Sequence, residues 1–201
     1  MYLTKRDKSI LKFIEEYGSI TINQCSKIFF DKNKEGYQQA RKRLKKLSEN
    51  KFLKRYRKDM HSECIYFLDK KLSLHDLKAF DIYAELIFTG ATIKKFIPKY
   101  RIKTLNSKKT YRELDVLAEF IYKDYFYTLI IEIDYTHFTN KEKLLDIYNS
   151  NHFQSKYKHL DSNIFPSILI LRPYIPERKI NDERMHIYYT SFEHPNIHDI
   201  L

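Results

Sequence analysis

Two acidic residues lie at the end of an apolar stretch of the sequence, and a third lies in an earlier β-prone stretch. In the segment LIIEIDYTHFT, residues 129–139, Glu132 and Asp134 are two positions apart, so they project from one face of a strand. Asp115 belongs to the earlier β-prone run DVLAEF. Carboxylate oxygens are the ligands that Mg²⁺ prefers, and a bound Mg²⁺ can assist phosphate hydrolysis. The three acids are therefore candidates for a metal-dependent hydrolytic site.

The elements that must position these acids follow one another closely. Residues 110–122 and 125–134 predict two strands that form a hairpin around the turn Lys123-Asp124. A helix is predicted next, with Thr139 and Glu142 in capping-box spacing. Residues 165–174 and 184–192 predict two more strands. The second half is thus predicted as strand, strand, helix, strand, strand.

This order, with Asp115 on the first strand and Glu132 and Asp134 on the second, resembles the core of the restriction-endonuclease-like superfamily. The resemblance implies that an Asp and a Glu hold a divalent cation and that a Lys two residues after the Glu serves the attacking water. Asp134 occupies that Lys position, and a carboxylate cannot supply the cation. We therefore expect a degenerate site with no catalytic residue and no resident cofactor. Mg²⁺ could still bind the three acids, with Lys141 or Lys143 as the substitute cation.

A structural interpretation of the same acids competes with the chemical one. Acids at strand ends often pair with neighbouring cations, and such ion pairs perturb a site without making it catalytic. Arg112, Arg172 and Lys143 are the available partners.

The positive charge of the chain is concentrated in one segment. The formal net charge is +11, and residues 41–58, RKRLKKLSENKFLKRYRK, carry ten Lys and Arg against the single acid Glu49. A solvated helix face normally mixes both signs, so this segment favours a polyanionic partner. The aromatic residues between the charges favour a folded surface over a disordered tail.

The first eighty residues predict three helices followed by a hairpin. Thr4 is a candidate N-cap of a first helix that Gly18 ends, and a second helix is predicted to begin at Thr21. A third helix is predicted from about residue 37 to residue 49, and residues 52–57 and 64–68 predict the hairpin. The apolar stripe of the third helix consists of Tyr37, Ala40, Leu44 and Leu47. This order is that of a winged helix-turn-helix, so the predicted class is α+β.

In that geometry the third helix enters the DNA major groove and the hairpin lies on the phosphate backbone. Gln and Arg side chains suit adenine and guanine edges, whereas Lys and Arg on the hairpin suit phosphates. The predicted DNA-binding residues are Gln38, Gln39, Arg41, Lys42, Lys45 and Lys46 on the helix, and Lys54, Arg55, Arg57 and Lys58 on the hairpin.

The expected domains are a winged helix-turn-helix over residues 1–72, a linking helix over 73–89 and a nuclease-like α/β domain over 90–201. Residues 74–88 form an amphipathic pattern without Gly or Pro, which is typical of a stiff connector or a dimer-forming helix. The chain shows no apolar run long enough to span a bilayer and no secretory signal. We therefore expect a cytoplasmic protein without a membrane partner.

The combination of these elements with the segments LDVLAEF, IEIDYTH and KEKLLDIYN resembles the replication-relaxation protein family of plasmids and related mobile elements of Gram-positive bacteria. The family's motif residues correspond to Glu132, Asp134, Thr136, Lys143 and Tyr148. The resemblance implies a DNA-binding accessory factor in plasmid replication, relaxation or transfer, or a regulator of such genes.

Three functions remain open at this point. The first is a sequence-specific, homodimeric double-stranded DNA-binding protein, whose second domain serves dimerisation, partner docking or additional DNA contact. The second is a metal-dependent DNA endonuclease. The third is an adaptor that recruits replication or relaxosome proteins. Metal-dependent cleavage of plasmid would single out the second, and a defined footprint on DNA would separate the first from the third.

Overall fold

The computed structural model describes residues 2–30, 35–104, 109–135, 137–160, 164–193 and 195–201. The chain divides into two units, residues 1–89 and residues 90–201. Across the described ranges the protein is a mixed α+β structure with six helices and two sheets. No helix in these ranges has both the length and the apolar character needed to cross a membrane.

The first unit contains four helices and a three-stranded antiparallel sheet of order β1-β3-β2. Its elements in chain order are α1 (Lys5–Tyr17), β1 (Ser19–Thr21), α2 (Ile22–Phe29), α3 (Gly36–Glu49), β2 (Lys54–Tyr56), β3 (Ile65–Phe67) and α4 (Leu74–Thr89). The hairpin strands β2 and β3 are shorter than the predicted ones. Strand β1 was not predicted, because three residues between two helices carry no period-2 pattern.

Local caps explain where the first two helices begin. Thr4 caps α1 through a capping box with Asp7, and Thr21 caps α2 through a capping box with Gln24. Gly18 ends α1 at φ 95°, a conformation that side-chain-bearing residues rarely adopt. The N-cap prediction for Thr4 is confirmed, and the second helix begins one residue later than predicted.

The second unit is built on a five-stranded sheet of order β4-β5-β6-β7-β8. Its elements are β4 (Thr92–Lys103), β5 (Tyr111–Tyr122), β6 (Tyr125–Ile133), α5 (Lys141–Asn149), α6 (His152–Lys156), β7 (Ser167–Arg172) and β8 (Ile187–Ser191). Strands β4, β5 and β6 are antiparallel, whereas β6, β7 and β8 run parallel. The predicted hairpin is confirmed, with Lys123 and Asp124 both at positive φ in its turn.

Three local predictions for this unit are wrong. Strand β4 was missed because its 12 residues include five cations and Pro98, and only Phe96 and Ile102 are buried. Helix α6 was missed because five residues are too few for a helical period. The N-cap of α5 is Asn140 and not Thr139, since the Asn140 side chain accepts the hydrogen bond of the Lys143 backbone NH.

The core of the second unit lies between the sheet and the two helices that follow β6. Its fully buried members include Leu117, Ile130 and Ile168 from the strands, with Leu144 from α5 and Phe153 from α6. Central strand β6 is buried on both faces over residues 129–133, so the sheet holds Glu132 inside the protein.

Candidate nucleic-acid interface and carboxylate cluster

Helix α3 buries one side and exposes the other, as its sequence predicts. Ala40, Leu44 and Leu47 are fully buried. Tyr37, which was predicted to pack inward with them, is 41% exposed. Of the predicted DNA-binding residues on this helix, Gln39 is half-buried and the rest are exposed, namely Gln38, Arg41, Lys42, Lys45 and Lys46. Apart from Tyr37 and Glu49, the exposed residues of α3 are therefore cationic or amide-bearing.

Arg43 differs from the other cations of α3 because it is bound to a buried acid. Its guanidinium donates to both carboxylate oxygens of Asp7, which is fully buried on α1. Burial alone would raise the pKa of Asp7, but hydrogen bonds from Arg43 and Thr4 bring it below its ordinary value. Arg43 therefore attaches α3 to α1 and contributes to structure.

The hairpin presents the second group of predicted cations, Lys54, Arg55, Arg57 and Lys58, all of which are exposed. Arg57 also stabilises the loop between β2 and β3. Its Nε donates to the Ser62 carbonyl oxygen at 2.7 Å, and a second nitrogen donates to the Met60 carbonyl. The guanidinium thus has a fixed position.

A cleft of about 310 Å³ lies between α3 and the hairpin. Two cations of α3, Arg41 and Lys45, and two of the hairpin, Arg55 and Arg57, line it together. Gln38, Gln39, Lys42, Lys46, Lys54 and Lys58 lie outside its lining. The fold thus brings cations from two elements, α3 and the hairpin, to one concave surface.

One acid, Glu63, also lines this cleft, and the sequence pattern did not identify it. Its carboxylate accepts the backbone NH of Asn23, in the first turn of α2, at 2.6 Å. Burial raises the pKa of Glu63. Because this carboxylate is bound to the α2 N-terminus, its negative charge is partly offset on the protein side of the cleft.

The carboxylate cluster of the second unit is buried and largely paired. Glu132 is 1% exposed, and its Oε2 accepts a hydrogen bond from Lys143 Nζ at 2.6 Å. Its Oε1 is buried and has no hydrogen-bond partner within the described residues. Burial raises the pKa of Glu132 to about 7, against the opposing effect of Lys143 and with a further rise from Asp115 and Asp134.

Asp134 is 1% exposed, and both of its carboxylate oxygens are engaged. Oδ2 accepts Arg172 Nε at 2.6 Å, while Oδ1 accepts the Thr139 backbone NH at 2.7 Å and its hydroxyl at 2.8 Å. These bonds explain why Thr139 does not cap α5. Asp134 fixes the segment after β6 to the end of β7.

The remaining predicted members of this cluster have separate positions. Asp115 Oδ2 accepts the Ile133 backbone NH at 2.7 Å across the β5–β6 pair. Arg112, a predicted partner of the acids, binds Asp146 of α5 instead. Lys141, a candidate substitute cation, contacts Asp182 at 3.0 Å. Thr136 lies outside the described residues.

The acids do not fit a Mg²⁺ site in this arrangement. Both carboxylate oxygens of Asp134 accept hydrogen bonds from Arg172 and Thr139, and one oxygen of Glu132 accepts a hydrogen bond from Lys143. Among the side chains that the structure describes, no group of three His, Cys, Asp or Glu has the geometry to hold a metal ion. Two of the three structural partners expected from the sequence, Arg172 and Lys143, are the ones that bind these acids.

Comparisons with protein-family models, with curated proteins and with solved structures found no match to this chain.

Proposed function

We propose that the chain is a sequence-specific double-stranded DNA-binding protein that reads DNA through α3 and contacts phosphates through the β2–β3 hairpin. The observation that carries this proposal is the cationic cleft, where Arg41, Lys45, Arg55 and Arg57 converge from two elements. Four cations against the single acid Glu63 leave an excess of positive charge in the cleft, and such an excess attracts a polyanion. The element order of residues 1–72 is that of a winged helix-turn-helix, which supports the same docking.

Each element has a distinct role in this proposal. The exposed Gln38 amide and Arg41 guanidinium on α3, with the half-buried Gln39 amide beside them, provide the paired donors and acceptors that base edges require. Two cations of the hairpin, Lys54 and Arg55, lie on the short, exposed strand β2, and Arg57 and Lys58 lie in the loop after it, where they reach phosphates of any sequence. Specificity then comes from α3, and affinity comes mainly from the hairpin.

The second unit is, in this proposal, a degenerate restriction-endonuclease-like domain of a replication-relaxation protein. Its three antiparallel strands, two helices and two parallel strands, with acids on β5 and β6, support that class. The corresponding biological role is DNA binding in replication, relaxation or transfer of a cytoplasmic plasmid or mobile element, or regulation of its genes. The alternative role is recruitment of replication or relaxosome proteins. A defined DNA footprint of the purified protein would exclude this alternative.

Single substitutions in the two elements test the DNA-binding proposal. Arg41→Ala should reduce the preference for the cognate site by about 1–3 kcal/mol, whereas Lys54→Ala should weaken every duplex and lower the salt slope by about one. Lys12→Ala, at an exposed site of α1, is the matched control. Binding isotherms at several salt concentrations measure these effects. Equal and sequence-independent losses from Arg41→Ala and Lys54→Ala would contradict the assignment of specificity to α3.

A cleavage assay tests the proposal that the second unit does not act as a nuclease. We expect the purified protein to leave supercoiled plasmid intact in Mg²⁺ and in Mn²⁺, because both Asp134 oxygens and one Glu132 oxygen already accept hydrogen bonds from protein groups. Glu132→Ala should change DNA affinity by less than about threefold, because Glu132 is not expected to contact DNA. Cleavage by the unmodified protein that is lost in both Asp115→Ala and Lys143→Ala would instead establish Lys143 as the catalytic cation.

A further inference from the structure

A second cavity lies within the first unit, between the β2–β3 hairpin and helix α4. Its volume is about 390 Å³, and we call it the hairpin–α4 cavity. Ile65, Leu74 and Leu77 provide apolar lining. The Tyr56 ring, which is 42% exposed, also lines it. Small-molecule sites in proteins have this size and this combination of apolar side chains with a few polar groups.

The hairpin separates this cavity from the cationic cleft. Arg55 of β2 lines the cleft, whereas Tyr56 lines the cavity, because successive side chains of a strand point to opposite faces. In the loop after β2, Arg57 lines the cleft and Lys58 lines the cavity. Glu63 lines both. A molecule in the cavity would therefore contact the same hairpin that presents cations to the cleft.

Both acids of the cavity already have partners in the protein. Asp81 pairs with Lys78 at 3.0 Å and accepts a hydrogen bond from Gln24 Nε2 at 2.8 Å. Glu63 accepts the Asn23 backbone NH at 2.6 Å. The charges of Lys78 and Asp81 balance each other within this ion pair.

The other two lysines of the cavity, Lys58 and Lys71, stand against Glu63 alone and leave an excess of positive charge. Lys58 is exposed. Lys71 Nζ lies 4.2 Å from the centroid of the Tyr56 ring. An aromatic ring has no formal charge, so this cation–π contact leaves the ammonium positive. The cavity thus combines two ammonium groups, one aromatic ring and apolar walls.

We propose that the hairpin–α4 cavity binds a small aromatic carboxylate, and that the bound molecule lowers the affinity of the protein for DNA. The ring of the ligand packs against Tyr56 and the apolar walls, and its carboxylate pairs with Lys71 and Lys58. Lys58 is also one of the proposed phosphate contacts, so a carboxylate that binds it removes one cation from the DNA surface. The effect on DNA rests on the proposed function, whereas the ligand site does not depend on it.

Titration of the full chain in the absence of DNA tests the site directly. The probes are benzoate, phenylacetate and cinnamate, and the control ligands are the matching alcohols, which keep the ring and lack the carboxylate. We expect at least one acid to bind with a Kd of about 1 mM or lower in isothermal titration calorimetry. Its alcohol should bind at least about tenfold more weakly, because it forms no charged pair with lysine. Failure of all three acids to bind would overturn the proposal, as would equal binding of acid and alcohol.

Two variants locate the bound acid. Lys71→Met removes the ammonium and keeps an apolar side chain, and Leu74→Glu adds a carboxylate at an exposed lining position in the first turn of α4. Each should weaken binding of the acid at least about fivefold. Lys70→Met, at an exposed neighbour outside the lining, is the matched control and should bind as the unmodified protein does. Unchanged binding in both cavity variants, with circular dichroism showing them folded, would place the acid elsewhere and overturn the site.

Duplex-binding isotherms with and without the acid, at equal ionic strength, test the effect on DNA. We expect the saturating acid to weaken DNA binding by about fivefold or more and to lower the salt slope by about one. Lys71→Met should lose this response, and Lys70→Met should keep it. Unchanged DNA affinity at saturating acid would overturn the link to DNA. A protein that binds the acid in the cavity and binds no duplex at any salt concentration would contradict the proposed function and leave the ligand site standing.

Discussion

At the scale of single residues, each of the three acids in the carboxylate cluster has a different set of partners. Glu132 binds Lys143, Asp134 binds Arg172 and Thr139, and Asp115 binds a backbone NH. A metal-dependent hydrolase needs carboxylate oxygens that remain directed at the cation and the phosphate. Here most of those oxygens hold the strands and α5 together, and Glu132 Oε1 is the buried exception.

The raised pKa of Glu132 leads to a pH-dependence of stability. Its pKa is about 7 in the folded protein, above the ordinary value of 4.5, because burial disfavours the charged form. The folded state therefore binds this proton more tightly than the unfolded state. The resulting stabilisation is complete below about pH 4.5 and is lost as the pH rises through about 7.

Glu132→Gln should remove this dependence. The free energy of unfolding of the variant, relative to that of the unmodified protein, should therefore increase as the pH rises from 5 to 8. Urea unfolding at pH 5, 6, 7 and 8 measures the difference. Glu113→Gln replaces an exposed acid of β5 and is the control. Its free energy of unfolding should differ from that of the unmodified protein by the same amount at every pH. A constant difference between Glu132→Gln and the unmodified protein across this range would show that Glu132 does not titrate there.

At the scale of elements, two glycines allow a comparison of backbone strain and close packing. Gly18 ends α1 at φ 95°, and Gly90 follows α4 at φ 101°. A Cβ at Gly18 would lie 3.3 Å from Leu72 Cδ2, whereas a Cβ at Gly90 would meet no atom within 4 Å. Both positions carry the conformational cost of a side chain, but only Gly18 adds a close contact.

We expect Gly90→Ala to reduce the free energy of unfolding by about 1 kcal/mol, which is the lower end of the cost of positive φ. Gly18→Ala should cost more, about 2 kcal/mol, because Leu72 must also move. Chemical unfolding followed by circular dichroism measures both. Equal losses in the two variants would mean that the Leu72 side chain moves aside without a cost.

At the scale of the whole molecule, we predict a homodimer that binds an inverted repeat. A single α3 offers few base contacts, and two-fold symmetry doubles the number of bases read. Either α4 or the sheet of the second unit would form the interface. Sedimentation should detect a dimer on a duplex with two half-sites, and a duplex with one half-site should bind more weakly. A protein that stays monomeric, both free and on DNA at micromolar concentration, would contradict this prediction.

The sequence by itself determined the elements with a regular pattern. The stripe of Ala40, Leu44 and Leu47 fixed the buried side of α3 and hence its cationic side, because helical spacing places these positions on one face. The alternation and the Lys123-Asp124 turn likewise determined the β5–β6 hairpin. Local periodicity and local turn conformation suffice for such elements.

Only the tertiary structure decided which residues meet. The pairing of Arg43 with Asp7 joins positions 36 residues apart. The sequence named Arg172 and Lys143 as candidate partners of the acids, and the fold assigned Arg172 to Asp134 and Lys143 to Glu132. Nothing in the local pattern distinguishes Arg43 from the cations beside it. Strand β4 also depends on tertiary context, because backbone hydrogen bonds to β5 hold it in the sheet although few of its side chains are buried. Long-range ion pairs and sheet pairing leave no local period in the sequence, so they become visible only when the chain is folded.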